Sequence, residues 1–172
     1  ELYLKPVIND EPVYEGNIPH DWGNIPPEEL VNRFWICWTR GAYCTHGETY
    51  LHPDNILWWS KGGKLYGESP ERIGFLHKIM KAAPSEGLYP FHDEWNKKTY
   101  LYKKGEYYIH YFGITQQAAA IIPLPENTAF KMDVIDTWNM TVTPLEGTFS
   151  GRVEIPLPGR PYMAVRAVKI KK

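Results

Sequence analysis

Two short stretches concentrate the side chains that can do chemistry. Asn9-Asp10-Glu11 with Tyr14-Glu15 form the first, and His46-Gly47-Glu48 the second. Carboxylates and an imidazole exchange protons and bind hydroxyl groups. Aromatic residues surround both stretches: Tyr14, Trp22, Tyr43, Tyr50, Trp58 and Trp59. Flat apolar faces with polar edges suit sugar rings, whose C–H faces stack on them. Aromatic residues make up 15% of the chain, and a small core of large side chains would use the same residues. Their position beside the polar stretches favours the sugar-binding reading.

The elements that must position these residues change character along the chain. Residues 1–88 alternate strand and helix signals. Lys5 to Glu11 reads as a short buried strand ending in polar residues. Pro26-Pro27-Glu28-Glu29 opens a helix, with proline in the first turn and acids at its positive end. Leu30, Phe34 and Trp38, with Val31 and Trp35 alongside, give it one apolar face, and Arg40-Gly41 closes it. Ala42 to Thr49 reads as a second strand. Ser69-Pro70-Glu71 caps a second helix with apolar positions Ile73, Leu76, Ile79 and Met80, and Pro84 ends it. The order β-α-β-α implies parallel strands covered by helices.

From about residue 89 the period changes to two. Tyr100–Tyr102 and Tyr107–Phe112 read as a hairpin, and segments 118–122, 129–136, 140–143, 152–157 and 162–170 as further strands. Short strands at this spacing predict an antiparallel sandwich over residues 89–172. Its strand faces show no obvious aromatic stripe.

Composition excludes other chemistries. Lys plus Arg is 19 and Asp plus Glu 20, for a net charge of -1. No basic excess exists to bind nucleic acid through its phosphates, and no polybasic tail to hold a membrane. No stretch reaches 18 continuous apolar residues. Glu1 to Lys5 carry no signal-peptide pattern, which slightly favours a cytoplasmic location. Cys37 and Cys44 are the only cysteines and read as small buried hydrophobes. Lys61-Gly62-Gly63-Lys64 lacks P-loop spacing, and no HExxH, paired Cys/His cluster or G-x-S-x-G elbow occurs. No cofactor is expected.

Two parallel strands with two helices make neither a closed barrel nor a stable open sheet. A complete (β/α)8 barrel takes about 250 residues. Residues 1–88 therefore read as the end of a larger α/β domain, or as a unit that borrows surface from another chain. In such folds chemistry sits at the carboxyl ends of the strands, which here are the two polar stretches.

Residues 5–16, KPVINDEPVYEG, resemble the seventh strand and following loop of clan A glycoside hydrolases, where a Lys-Pro-apolar strand ends in the nucleophilic glutamate. Residues 11–16, 27–40, 46–49 and 58–63 are similar to the EP-x-YEG loop, helix seven, GHGET-like strand eight and WWSKGG loop of one group of bacterial glycosidases. In that group a small β-sandwich follows the barrel, and DTWNMT at 136–141 and LPGRPYMAVR at 157–166 resemble it. The resemblance implies a fold of α/β plus all-β type: the last two βα units of a (β/α)8 barrel over 1–88, then the sandwich over 89–172. It implies the C-terminal part of a retaining glycosidase acting on oligo- or polysaccharides.

The same resemblance aligns Glu11 with the nucleophile. A retaining mechanism also needs a carboxylic acid about 5–5.5 Å away to protonate the leaving oxygen. In the clan that acid comes from strand four, which this chain lacks, so the chain alone is expected to be inactive. Glu48 is the one candidate partner for Glu11; it could equally serve as a subsite acceptor, pair with a lysine or cap a loop. Glu15 either touches sugar or forms a loop salt bridge. His46 donates to a substrate hydroxyl or to Glu11, or is a satisfied, partly buried histidine. Tyr14 orients Glu11 or packs. Of Trp58 and Trp59, one stacks on sugar and the other packs on the barrel. The alternative is a non-catalytic carbohydrate-binding or structural module. An exposed half-built barrel would be a large apolar patch, which predicts an oligomer or pairing with a missing N-terminal portion.

Overall fold

Pro26 stands at the N-cap of the first helix, α1 (Pro27–Thr39), and Glu28 and Glu29 fill its first turn. Arg40 caps its end, and Gly41 takes φ 76°, a left-handed conformation that glycine adopts without a Cβ clash. Leu30, Val31, Phe34 and Trp35 are buried on the expected face. The second helix, α2 (Ser69–Lys81), buries Leu76 and Ile79. The computed structural model describes residues 5–51, 64–93 and 98–171.

Short parallel pairings precede and follow α1. Strand β1 (Ile8–Asn9) pairs with β3 (Tyr43–Cys44), and β2 (Glu15–Gly16) pairs with β4 (Glu48–Thr49). The strand expected over Ala42–Thr49 is thus interrupted at Thr45-His46-Gly47. The expectation of a buried strand over Lys5–Glu11 is corrected as well. Only Ile8–Asn9 is strand, and Val7 and Ile8 are 63% and 59% exposed. Among the described residues β1 has β3 as its strand neighbour and nothing on its other side. An apolar parallel strand is normally covered on both faces.

The remaining strands build two antiparallel sheets. They are β5 (Tyr89–Asp93), β6 (Lys98–Lys103), β7 (Tyr107–Tyr111), β8 (Ala119–Pro123), β9 (Phe130–Asp136), β10 (Thr141–Pro144), β11 (Arg152–Pro156) and β12 (Met163–Lys169). Six of them form one sheet in the order β10-β9-β12-β7-β6-β5, and β11 pairs with β8 in a second. Side chains alternate across the large sheet. Leu101, Ile109, Ile135 and Ala164 pack against α1 and α2. Met132, Val134, Met163 and Val165 face the opposite way, toward Ile122 and Ile155 of the small sheet. The protein is therefore β-rich with two helices, and no barrel closes among the described residues.

The period change expected near residue 88 falls between α2 and β5. One apolar layer spans the helices and the large sheet, and polar links reinforce it. The Tyr111 hydroxyl donates to Asn32 Oδ1 of α1 at 2.9 Å. The Arg72 guanidinium of α2 lies 3.7 Å from the centroid of the Trp138 ring, and its Nε donates to the Trp138 carbonyl at 3.0 Å. Arg72→Ala is expected to lower stability by about 2 kcal/mol through loss of the cation–π and hydrogen-bond contacts. Arg72→Lys should recover less than half, because an ammonium lacks the planar fork. Denaturant midpoints of the three proteins measure this.

Candidate active site

Glu11 follows β1 by two residues and is exposed. The loop it opens is tightly held. Arg33 of α1 donates from Nη1 to the Pro12 carbonyl at 2.5 Å and from Nε to Glu29 at 2.7 Å. Val13 has φ 68°, a left-handed conformation that a β-branched residue adopts only when its surroundings force it. Tyr14 N–H donates to the Trp22 carbonyl, and Ile25 N–H to the Tyr14 carbonyl. A Cβ at Gly47 would lie 2.9 Å from the Tyr14 ring, so glycine there lets the ring rest on the backbone.

These constraints bring Glu11, Val13, Tyr14, Trp22, His46, Gly47, Glu48 and Thr49 around one cavity of about 800 Å³. That volume suits a ligand of sugar size. Burial first, then the charges of Glu11 and Asp10, raise the Tyr14 pKa and keep its hydroxyl protonated as a donor. Burial lowers the His46 pKa despite the opposing pull of Glu48 and Glu15. His46 Nε2 is 3.3 Å from Ser69 Oγ, and its ring lies 6.4 Å from that of Phe34. Tyr14 and Trp22 meet at right angles, 6.5 Å apart.

Glu15 and Glu48 are 0% and 2% exposed and stand opposite each other in the β2–β4 pairing. Their carboxylates point to the start of α2. Glu15 Oε1 accepts from the Tyr50 hydroxyl at 2.7 Å and from Glu68 N–H at 2.8 Å, and Oε2 accepts from Ser69 N–H at 3.0 Å. Glu48 accepts from Tyr66 N–H at 2.8 Å and Gly67 N–H at 3.1 Å. A Cβ on Gly67 would collide with the Glu15 carboxylate at 2.4 Å. The Ser69 cap expected from sequence is corrected. Residue 68 is the N-cap, and the carboxylate that caps the helix comes from Glu15. The Tyr50 hydroxyl is held protonated, by burial first and then by donation to Glu15. Trp58 and Trp59 lie outside the described residues.

Cys37 and Cys44 are partly exposed rather than buried. Burial and the adjacent Cys37 thiol push Cys44 up to about 12. Among the described residues no group of three His, Cys, Asp or Glu is placed to hold a metal ion. A larger concavity of about 1190 Å³ lies between the α2 C-terminus and the sheet end. In its lining Lys103 pairs with Glu86 and Glu106, and Lys169 and Lys171 also contribute.

Sequence reasoning counted Trp22 only among the aromatics around the two polar stretches, and assigned no role to Val13. The polar loop holding Trp22 gave no period to read, and a left-handed valine leaves no trace in composition. It also overlooked an aromatic cluster on the sandwich, because register across three strands creates it. Phe91, Tyr100 and His110 align across β5, β6 and β7, as do Tyr89, Tyr102 and Tyr108. Phe91 and Tyr100 stack at 4.7 Å, and Tyr89 and Phe91 are exposed.

Glu15→Ala should cost about 2–3 kcal/mol, since it leaves two amides and a phenol without their charged acceptor. Glu11→Gln, at an exposed position, should leave the melting temperature unchanged within a degree or so. His46 predicts a pH effect. Its folded pKa is depressed below the ordinary 6.5, so the unfolded chain binds the extra proton. Stability is then full above about pH 6.5 and is lost as pH falls toward the folded value. His46→Gln should remove that part of the acid-side loss, as read from melting temperatures between pH 7 and 5.

A domain family of unknown function, DUF5605, matches residues 95–168. No curated protein matches the chain. A candidate glycoside hydrolase from Bacteroides vulgatus ATCC 8482 is similar in structure, with a TM-score of 0.81 and 30% identity over 96% of this chain and 36% of its own. A glycoside hydrolase family 5 structure from the same organism gives 0.76 and 16% identity over 100% of this chain and 43% of its own. A further structure named a glycoside hydrolase gives 0.71 and 15%, covering 98% and 43%. The latter two share the fold. The chain spans 36% to 43% of the length of the structures it matches.

Proposed function

We propose that this chain is the C-terminal part of a retaining glycoside hydrolase and that Glu11 is its nucleophile. The observation that carries this reading is an exposed carboxylate beyond a parallel strand, sharing a sugar-sized cavity with Tyr14, Trp22 and His46. The exposed apolar edge of β1 and β3 supports placement at the open end of a larger barrel, with residues 1–88 as its last two βα units and 89–172 as an accessory sandwich. Similarity over 36% of a longer glycoside hydrolase from Bacteroides vulgatus, a bacterium, supports the same placement. Pairing of that edge with a preceding barrel portion, or with a second copy, would cover Val7, Ile8 and Tyr43.

In this mechanism a Glu11 oxygen attacks the anomeric carbon and the bond to the leaving oxygen breaks as a carboxylic acid protonates it. Water, deprotonated by that same group, then attacks the glycosyl ester and returns Glu11 as a carboxylate. The acid/base lies outside this chain. Glu48 does not fill that role, because both its oxygens accept backbone amides. Tyr14, kept protonated beside Glu11, is assigned to orient that carboxylate, and His46, its pKa lowered by burial, is assigned to substrate hydroxyls. Glu15 and Glu48 act from behind, fixing the wall on which the substrate rests. Of Trp58 and Trp59, one is assigned to stack on sugar and the other to pack on the barrel.

A second reading, a carbohydrate-binding module, is favoured by exposed Tyr89 and Phe91 on the sandwich edge. Retention on insoluble polysaccharide that Tyr89→Ala and Phe91→Ala abolish would support it.

Glu11→Gln in the full natural polypeptide should lower kcat by roughly three orders of magnitude or more, with folding unchanged. The isolated chain should show no hydrolysis. An undiminished Glu11→Gln rate would remove the nucleophile assignment.

A further inference from the structure

Trp22 is 45% exposed, whereas Trp35, Trp38 and Trp138 are buried or half-buried. It sits in a single 3-10 turn (Asp21–Gly23) that hydrogen bonds hold on both sides. Its carbonyl accepts from Tyr14, the Gly23 carbonyl accepts from Thr49 Oγ1 at 2.7 Å, and Gly23 N–H returns to His20. The His20 ring lies parallel to the indole at 5.9 Å and 11°, and Tyr14 closes the corner at 90°. A large rigid ring is therefore held at the cavity in a fixed pose while much of it remains wet. Leaving that apolar area in water is unfavourable unless something else covers it.

The cavity's charges narrow what that cover can be. Among the described residues its ionisable lining is Glu11, Glu48, Tyr14 and His46, with no lysine or arginine. A sugar carboxylate or sulfate would meet carboxylates without a compensating cation. The Glu48 oxygens each already accept one amide, which weakens their hold on an ammonium group there.

We propose that Trp22, braced by His20 and Tyr14, is the stacking platform for a neutral pyranose ring in the Glu11 cavity, and that Glu11 and Glu48, with no lysine or arginine beside them among the described residues, disfavour uronic acid units. The proposal rests on the glycosidase reading of that cavity for its link to catalysis, but ring binding is separable from turnover.

The test is calorimetric titration of the full natural polypeptide carrying Glu11→Gln, so that bound sugar survives. The probes are cello-, xylo- and manno-hexaose, hexagalacturonate and chitosan hexamer. Expected are binding of at least one neutral hexaose, about tenfold weaker binding in Trp22→Ala, recovery to within about threefold in Trp22→Tyr, and no binding of hexagalacturonate. Trp22→Tyr also serves as the variant to compare should Trp22→Ala not fold. Unchanged affinity in both variants, or no neutral hexaose bound, overturns the platform. Tighter binding of hexagalacturonate or of the chitosan hexamer overturns the neutral-sugar assignment. Neutral binding that needs Trp22, in a wild-type protein that cleaves none of these sugars, keeps the platform and removes the glycosidase reading.

Discussion

Two buried carboxylates govern the geometry of the first half of this protein. Glu15 and Glu48 face each other across paired parallel strands, a placement that repulsion and desolvation both oppose. What makes it tolerable is the ring of donors at the start of α2: four backbone amides and one phenol, all aimed at carboxylate oxygens. The partial positive charge of a helix N-terminus adds to that compensation. Removing either side strands the other, so strands and helix are bound into one unit. The cavity wall formed by His46, Gly47 and Glu48 is the solvent-facing side of that unit.

The sandwich is tied to this unit by packing more than by charge. Apolar side chains of α1 and α2 enter the same layer as Leu101, Ile109 and Ile135. Arg72 adds a directed contact to the turn after β9, where Asp136 accepts from Trp138 N–H and Asn139 N–H and pairs with Arg160 at 2.7 Å. The DTWNMT and LPGRPYMAVR segments therefore have a structural account: they build and brace the surface that α2 rests on.

Local periodicity made the helices readable before any coordinates. Their apolar spacing, opening prolines and the closing Gly41 are properties of adjacent residues. Most strands of the second half were equally readable, because alternation is local. Strand β5 was not, since Pro90 interrupts its pattern; the structure puts it at the sheet edge, where a missing N–H is harmless. The cap of α2 was also out of reach, because Ser69 is a plausible local cap and its actual partner lies 54 residues away. The candidate site was legible at Glu11, Tyr14 and His46, which follow strand ends. The burial of Glu15 and Glu48 was not, because a carboxylate's accessibility depends on what folds over it.

The long reach of the Glu15 contact bears on how the chain acquires its structure. During synthesis, β2 leaves the ribosome well before the amides of α2 exist, so the carboxylate waits in water. The helix, once made, finds its cap only by closing a loop of more than fifty residues, and such closures are slow. Amide hydrogens at residues 66–69 should therefore gain protection late in refolding, together with those of β4 and after those of the hairpin formed by β6 and β7.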